Sequence, residues 1–299
     1  MKKILLTTTA LTLLAGAAVA EVSVSGSSRM GISSTGGTTT TAYRTRINFT
    51  MSGETDGGLT FGAFSRVNLS SGSTGVFSGS RVWISNGMAT LTIGNAGGAT
   101  ATNGGIFGCG VGYTGSCVDM ASSLFSWNSF SSGGGGANLV RLDFALGSAN
   151  VSISGGNTND IEVAASFALG AANVAVSHDT GSASATTPAN SALAGGTQVT
   201  VDFDAGSANV GLNYAVDAFS GLAGYTASVS YAMGAGSLYV YAGNAIGDVD
   251  AVAATVTVGQ QTVFGASYSM GLGGGATGVV AVRSTGGTVT TDAGIKFSF

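Results

Sequence analysis

The chain has 299 residues, of which only 8% are charged and 44% are apolar, and it contains 51 glycines and a single proline. Soluble domains are typically about 25% charged, so this composition excludes an ordinary water-soluble surface. The net charge of −4 also excludes a polybasic face for nucleic acid.

The first 20 residues have the three parts of a secretory signal peptide. Two lysines precede an apolar run that begins at Ile4, and the sequence AVA stands directly before Glu21. The alternative is an uncleaved membrane anchor, which the four threonines in the run and its short length disfavour. We therefore predict cleavage after Ala20 and a mature barrel domain, 21–299, with 8 basic and 14 acidic residues and a net charge of −6.

The mature chain is apolar without being continuously apolar anywhere. No run reaches the 18 or so consecutive apolar residues of a membrane helix. Apolar and polar residues alternate instead, most clearly in QVTVDFD (198–204), ANVGLNYAV (208–216) and AGYTASVSYAM (223–233). A period of two indicates strands with two different faces. This pattern predicts an all-β fold, a transmembrane antiparallel β-barrel with lipid on one face of each strand and a lumen on the other.

Short turns alternate with longer and more polar connections along the chain. The turns lie at 54–57, 86–87, 147–149, 170–172, 205–207, 234–236 and 271–275. The longer connections lie at 34–41, 70–77, 96–136, 157–160, 180–196, 217–223, 246–253 and 284–289. Seven turns and eight loops predict 16 strands, closed by pairing of the first strand with the last so that no edge is open.

One part of this assignment stays open. Between residues 236 and 271, the sequence AVAATVTVG fits either a separate strand or a long loop with a strand extension.

The basic residues of the mature chain are predicted to face the lumen. In YRTRINFTM (43–51), Arg44 and Arg46 alternate with a largely apolar set of residues. An arginine exposed to lipid at mid-membrane costs about 2–4 kcal/mol, so the pair must point the other way. The same reasoning predicts that every basic side chain of the mature chain faces the lumen: Arg29, Arg44, Arg46, Arg66, Arg81, Arg141, Arg283 and Lys296.

The first five of these arginines come from four adjacent predicted strands. Counting from the nearest turn puts them at heights of about 13 to 26 Å, which predicts a basic patch on one wall of a constriction. The alternative is that lumen arginines only solvate the wall and pair with nearby carboxylates. Five carboxylates on other strands are also predicted to face the lumen: Asp143, Glu162, Asp202, Asp204 and Asp292.

Four segments carry a resemblance to a known family. They are EVSVSGSSRMGI (21–32), RTRINFTMSGETDGGLTFGA (44–63), GASYSMGLGGGA (265–276) and GIKFSF (294–299). They resemble the corresponding parts of the 16-stranded general diffusion porins of alpha-proteobacteria, closely at both ends of the chain and weakly in the middle.

The resemblance implies a homotrimer in the Gram-negative outer membrane. Each barrel would be a water-filled channel for passive diffusion of small hydrophilic solutes and ions, narrowed by a third external loop folded into the lumen. The family's pore arginines match Arg29, Arg44 and Arg46, and a basic residue matches Arg66. The terminal Phe299 resembles the signal that the outer-membrane insertion machinery recognises.

The predicted third loop departs from the family. There the loop is rich in carboxylates that face the arginines and can hold calcium, whereas 94–136 contains only Asp119. Calcium takes six to eight oxygen ligands, so we expect no metal in this loop. No other cofactor is expected either. With a weak acidic side, the constriction is predicted to prefer anions weakly, or at least to prefer cations less than a porin with an acidic third loop.

The same loop contains both cysteines, Cys109 and Cys117. An exported protein can form a disulfide, and we predict one here, with two free thiols as the alternative.

An enzyme is not expected. The only histidine, His178, lies on the apolar face of VAVSHD, so neither a catalytic triad nor a histidine-ligated metal site has its residues. A substrate-specific barrel channel and a non-conducting structural or adhesive barrel remain as alternatives.

Overall fold

The computed structural model describes residues 21–70, 75, 77–104, 139–156, 161–180, 195–217, 221–248 and 258–299. The predicted signal peptide lies outside these residues. Within them, no helix is both long and apolar enough to cross a membrane.

The described residues form 16 antiparallel strands and one short helix, α1 (Ala99–Asn103). The first eight strands are β1 (Glu21–Thr35), β2 (Thr38–Glu54), β3 (Thr60–Ser70), β4 (Phe77–Ser85), β5 (Ala89–Gly94), β6 (Leu139–Leu146), β7 (Ala149–Gly155) and β8 (Ile161–Leu169). The others are β9 (Ala172–Asp179), β10 (Gly196–Ala205), β11 (Ala208–Asp217), β12 (Ala223–Met233), β13 (Gly236–Asp248), β14 (Val258–Gly273), β15 (Ala276–Thr285) and β16 (Thr288–Ser298).

Each strand pairs with its neighbours in sequence, and β1 pairs with β16, so the sheet closes on itself. At the seam, the Gly26 amide donates to the Phe299 carbonyl at 2.6 Å, and the Phe299 amide donates to the Gly26 carbonyl at 3.1 Å. Both the fold class and the strand number predicted from the sequence are confirmed.

The seven short turns occur where the sequence predicts them. Five of them are two-residue connections that begin with a glycine at positive φ: Gly147, Gly170, Gly206, Gly234 and Gly274. Two-residue hairpins need such backbone angles, which glycine adopts without steric cost.

Two of the predicted longer connections are much shorter in the structure. β1 and β2 are joined by Gly36 and Gly37 alone, and β15 and β16 by Gly286 and Gly287 alone. The threonine-rich sequence around Gly36 suggested a polar loop, but threonine is β-branched and suits an extended strand. Pairing therefore continues up to Thr35 and Thr38, which are partners in the register.

The open assignment between residues 236 and 271 resolves into two long strands. β13 and β14 are direct neighbours and stay paired from Gly236 with Met270 to Asp248 with Val258. The connection 249–257 lies outside the described residues.

Apolar side chains cover the outside of the barrel and polar side chains cover the inside. On β12, Tyr225, Val229 and Tyr231 are exposed, whereas Thr226 and Ser228 between them are only 3% and 8% exposed. This is the reverse of a soluble protein, and it follows from the alternation because lipid is the external solvent.

A β-bulge interrupts the alternation in β4. Phe64 pairs with Arg81, but Arg66 pairs with Ser78, so β4 has one residue more than β3 between these pairs. Phe77 and Val82 are 64% and 53% exposed although they stand five positions apart, so the outward face changes parity at the bulge.

Aromatic rings lie over glycines of neighbouring strands in this barrel. A Cβ atom built on Gly62 would lie 2.5 Å from the Trp83 ring and would also clash with the Met51 carbonyl oxygen. Four further pairs share this arrangement: Gly26 with Phe299, Gly53 with Phe61, Gly236 with Tyr268, and Gly265 with Tyr241. The glycines thus make room for rings that cover the backbone, as in designed barrels.

Gly62→Ala is expected to destabilise the barrel by about 1–3 kcal/mol, because the new methyl group meets backbone as well as the Trp83 ring. The urea midpoint of the folded band on unheated gels measures this change. Gly271→Ala is the matched control, since a Cβ there has no atom within 4 Å. Equal midpoints for the two variants would contradict the close packing at Gly62.

Candidate functional site

Three basic residues lie side by side across the seam of the barrel. Arg29 on β1 pairs with Arg44 on β2 and with Lys296 on β16. All three stand at positions that alternate with outward-facing residues such as Met30 and Tyr43. We call this set the cationic row.

Arg46 on β2 and Arg66 on β3 lie beside the cationic row. Together with this row and Arg81 on β4, they form what we call the basic wall. The side chains of Arg29, Arg46 and Arg66 are all close enough to Arg44 to repel it electrostatically. Two asparagines orient the guanidinium groups: Arg46 Nε donates to Asn68 Oδ1 at 2.9 Å, and Arg66 Nε donates to Asn48 Oδ1 at 2.8 Å.

Phe64 joins the same wall to β4. The Arg81 guanidinium lies 4.0 Å from the centre of the Phe64 ring, and that of Arg66 lies 5.3 Å from it. Cation–π contacts of this kind contribute about 0.5–2 kcal/mol. The ring therefore holds two like charges at fixed positions.

The two remaining predicted arginines pair with carboxylates. Arg141 Nε lies 2.9 Å from Asp143 Oδ2, and Arg141 also donates to the Gly97 carbonyl. Arg283 lies 3.4 Å from Asp292, whose carboxylate is buried. These two arginines therefore fit the alternative in which lumen arginines pair with nearby carboxylates.

Glu162 has a different environment from the one expected for a lumen charge. Its side chain is only 3% exposed, and its Oε2 accepts the Thr100 amide at 2.7 Å, at the start of α1. Gly98, just before the helix, lies so close that a Cβ there would clash with the carboxylate. The carboxylate therefore satisfies an amide that the helix itself cannot.

Further contacts hold the segment 97–104 against the same wall. The Ala99 amide donates to Ser154 Oγ at 2.7 Å, and Gln198 Nε2 donates to the Gly104 carbonyl at 3.1 Å. Ser154 and Gln198 are buried on the polar faces of β7 and β10. The connection between β5 and β6 thus begins inside the barrel, and residues 105–138 lie outside the described part of the chain.

The other predicted residues are spread over the molecule. Asp202 and Asp204 lie on β10, where Asp204 accepts a hydrogen bond from Asn209 at 3.1 Å. Three residues lie outside the described ranges: Cys109, Cys117 and Asp119. In the described ranges, no three potential metal ligands come together.

His178 is exposed on the outer face of β9. Its Nδ1 lies 2.9 Å from Thr197 Oγ1 on β10.

The partners of the arginines were not among the residues predicted from the sequence. Asn48, Asn68 and Phe64 share the inward parity of the neighbouring arginines, and this parity was a usable signal. Which residues meet across strands depends on register, which the alternation alone does not specify.

Comparisons with known proteins agree with this architecture. The family model for the Gram-negative porin matches residues 7–296. No curated protein matches the chain significantly.

Solved structures with the same fold cover nearly the whole chain. A double mutant of the Rhodopseudomonas blastica porin is 19% identical, with a TM-score of 0.76 over 93% of this chain and 100% of that one. A loop-deletion mutant of OmpT, an outer membrane protein of Vibrio cholerae, is 12% identical, with a TM-score of 0.68 over 94% and 99% of the two chains. At these identities the likeness concerns the fold.

Glu162→Ala should loosen α1 from the wall, because the Thr100 amide loses its acceptor. A hydrogen bond to a charged group contributes about 1.5–3 kcal/mol, so amide exchange in residues 98–104 should accelerate by roughly 10- to 100-fold. Hydrogen exchange followed by mass spectrometry measures this rate.

Glu162→Gln is the matched control because it keeps an acceptor oxygen and nearly the same volume. Its exchange should stay closer to that of the unmodified protein. Unchanged exchange in Glu162→Ala would show that the carboxylate does not hold the helix.

Proposed function

The chain belongs to the Gram-negative porin family, and on that premise we propose that its basic wall forms the constriction of a weakly anion-preferring, non-enzymatic channel. A porin is an outer-membrane channel for passive diffusion, and this chain has the closed barrel that such a channel requires.

One observation carries the proposal. Five arginines on β1 to β4, together with Lys296 on β16, lie on neighbouring strands and point away from the lipid face. Positive charges lining a narrow, low-dielectric passage raise the local concentration of anions. The predicted third loop adds only Asp119 on the acidic side.

The carboxylates that could offset this wall are mostly committed elsewhere. Asp143 and Asp292 pair with Arg141 and Arg283, and Glu162 holds α1. Asp202 and Asp204 lie on β10, which is eight strands from β2 in the closed barrel and hence on the opposite wall, and Asp179 is buried on the neighbouring β9. The lumen therefore has a basic wall facing a weakly acidic one.

The net charge of the mature chain, −6, favours cations instead. Charges at the wide mouths are screened over about 8 Å at physiological salt, whereas charges at a constriction act directly on passing ions. We therefore expect the basic wall to determine the selectivity.

We also propose that the protein has no catalytic activity, that it assembles as a homotrimer, and that the insertion machinery recognises Phe299. Catalysis has no support, because the single histidine faces outward. Assembly as a homotrimer rests on the resemblance to general diffusion porins. Recognition of Phe299 by the insertion machinery has the same basis, and this residue also closes the seam with Gly26.

The competing channel types differ in conductance. A general porin gives large, ohmic openings that do not depend on the solute, and a substrate-specific channel gives small openings that its solute blocks. An adhesive barrel gives no openings. Large ohmic openings in planar bilayers would support a general diffusion channel.

Processing and the cysteine state can be tested by one measurement. The protein from outer membranes is denatured without reduction, alkylated and weighed intact. We expect a mass that begins at Glu21 and carries no alkyl group, because Cys109 and Cys117 are joined. A retained Met1 would contradict the cleavage, and two alkyl groups would contradict the disulfide.

The double substitution of Arg44 and Arg46 by serine should shift selectivity toward cations. It removes two positive charges from the basic wall, so the cation-to-anion permeability ratio should rise about twofold or more. Reversal potentials in a salt gradient measure the ratio.

The corresponding double lysine variant is the matched control, because it keeps both charges and should keep the selectivity. Unchanged selectivity in the folded serine variant would place the pair away from the constriction. Failure of the serine variant to fold, with a folded lysine variant, would indicate a structural role for these charges.

A further inference from the structure

The two inward-facing rows next to the cationic row differ in the size of their side chains. In the next inward row on one side, Gly31 pairs with Gly294 and with Ala42. These three positions, which we call the small-residue shelf, present nothing larger than a methyl group to the lumen. In the next inward row on the other side, Ser27 pairs with Ser298 and with Arg46.

The cationic row places like charges next to one another on three strands. Like charges directly opposite each other on neighbouring strands are destabilising, and here two such pairs follow one another across three strands. Lys296 lies close enough to Arg29 and Arg44 to be repelled by both, and Asp292 attracts it. Serine or threonine, which are common on this inner wall, would avoid the cost.

A bound anion would relieve this repulsion, and the row favours more than one negative charge. A chloride ion compensates one of three charges, whereas a phosphate group has up to two charges and several acceptor oxygens. The ammonium group offers three donors and each guanidinium offers five in a planar fork. Guanidinium groups match the geometry of phosphate oxygens with paired hydrogen bonds.

The small-residue shelf gives such a group space beside the charges. Gly31, Gly294 and Ala42 add no side chain longer than a methyl group to the inner wall next to the cationic row. The hydroxyl groups of Ser27 and Ser298 flank the row on its other side. Asp292, which attracts Lys296, lies two inward rows away beyond the shelf and is paired with Arg283.

We propose that Lys296, Arg29 and Arg44, beside the small-residue shelf, form a binding subsite for the phosphate group of small solutes passing through the lumen. The proposal rests on the proposed function, because the lumen must be open to solutes. It goes further in assigning the recognition of a phosphate group to one row of residues.

The subsite can be tested with pyrophosphate as a blocker of chloride current in planar bilayers. Binding in the lumen should reduce the current at low pyrophosphate concentration, and potassium chloride of equal ionic strength should not. Lys296→Gln should raise the half-blocking concentration about tenfold, because a charged hydrogen bond contributes about 1.5–3 kcal/mol. Lys296→Arg should restore block.

Arg81→Gln is the charge-matched control. It removes one positive charge from the same wall, but Arg81 lies on β4, outside the cationic row. Its half-blocking concentration should change by less than about twofold. Equal weakening by Lys296→Gln and Arg81→Gln would overturn the subsite and leave a general lumen potential as the explanation.

Gly31→Val tests the small-residue shelf without changing any charge. Valine suits a strand and should fill the space beside Arg29, so pyrophosphate block should weaken while the preference for chloride over potassium stays. Full block in this variant would overturn the location of the subsite. It also keeps the proposal testable if Lys296→Gln does not fold.

The outcomes separate this inference from the proposed function. A channel that conducts with anion preference but is not blocked by pyrophosphate would overturn only the subsite. A channel that prefers cations strongly, with unchanged selectivity after the Arg44 and Arg46 substitutions, would overturn the proposed function itself.

Discussion

The structure depends on the requirement that every backbone amide and carbonyl group in the membrane has a hydrogen-bond partner. Water is absent there, and each unsatisfied group costs several kcal/mol. The chain meets this requirement by closing 16 strands into a ring, with β1 paired to β16 and Phe299 paired to Gly26. Closure leaves no open edge, and it also creates the two environments on which the rest of the molecule depends.

The lipid environment and the lumen divide the side chains between them. The outside is predominantly apolar, so the few charges of the strands are concentrated inside, where they act on one another at short range. Two arginines are neutralised by carboxylates, and Glu162 is used to hold α1. The charges on β16 and β1 to β4 instead lie beside like charges, asparagines and a phenylalanine. This separation gives the lumen one basic wall.

Glycine contributes to this arrangement in two ways. On neighbouring strands of the barrel, it allows aromatic rings to lie over the backbone, as at Gly62 and Trp83. Beside the cationic row, Gly31 and Gly294 add no side chain to the inner wall. The high glycine content that marks the chain as unusual is thus linked to both packing and the shape of the lumen.

The sequence by itself determined the features that depend on local alternation. These are the strands, the glycine turns and the inward direction of residues such as Arg44 and Arg46, because a lipid-facing arginine is too costly. Only the tertiary structure decided which residues meet across strands. The cationic row, the bulge in β4 and the contact of Glu162 with Thr100 all depend on register or on chain segments far apart in sequence. A period of two specifies the face of each residue but not its neighbour, since pairing with either of two registers that differ by two residues preserves the same faces.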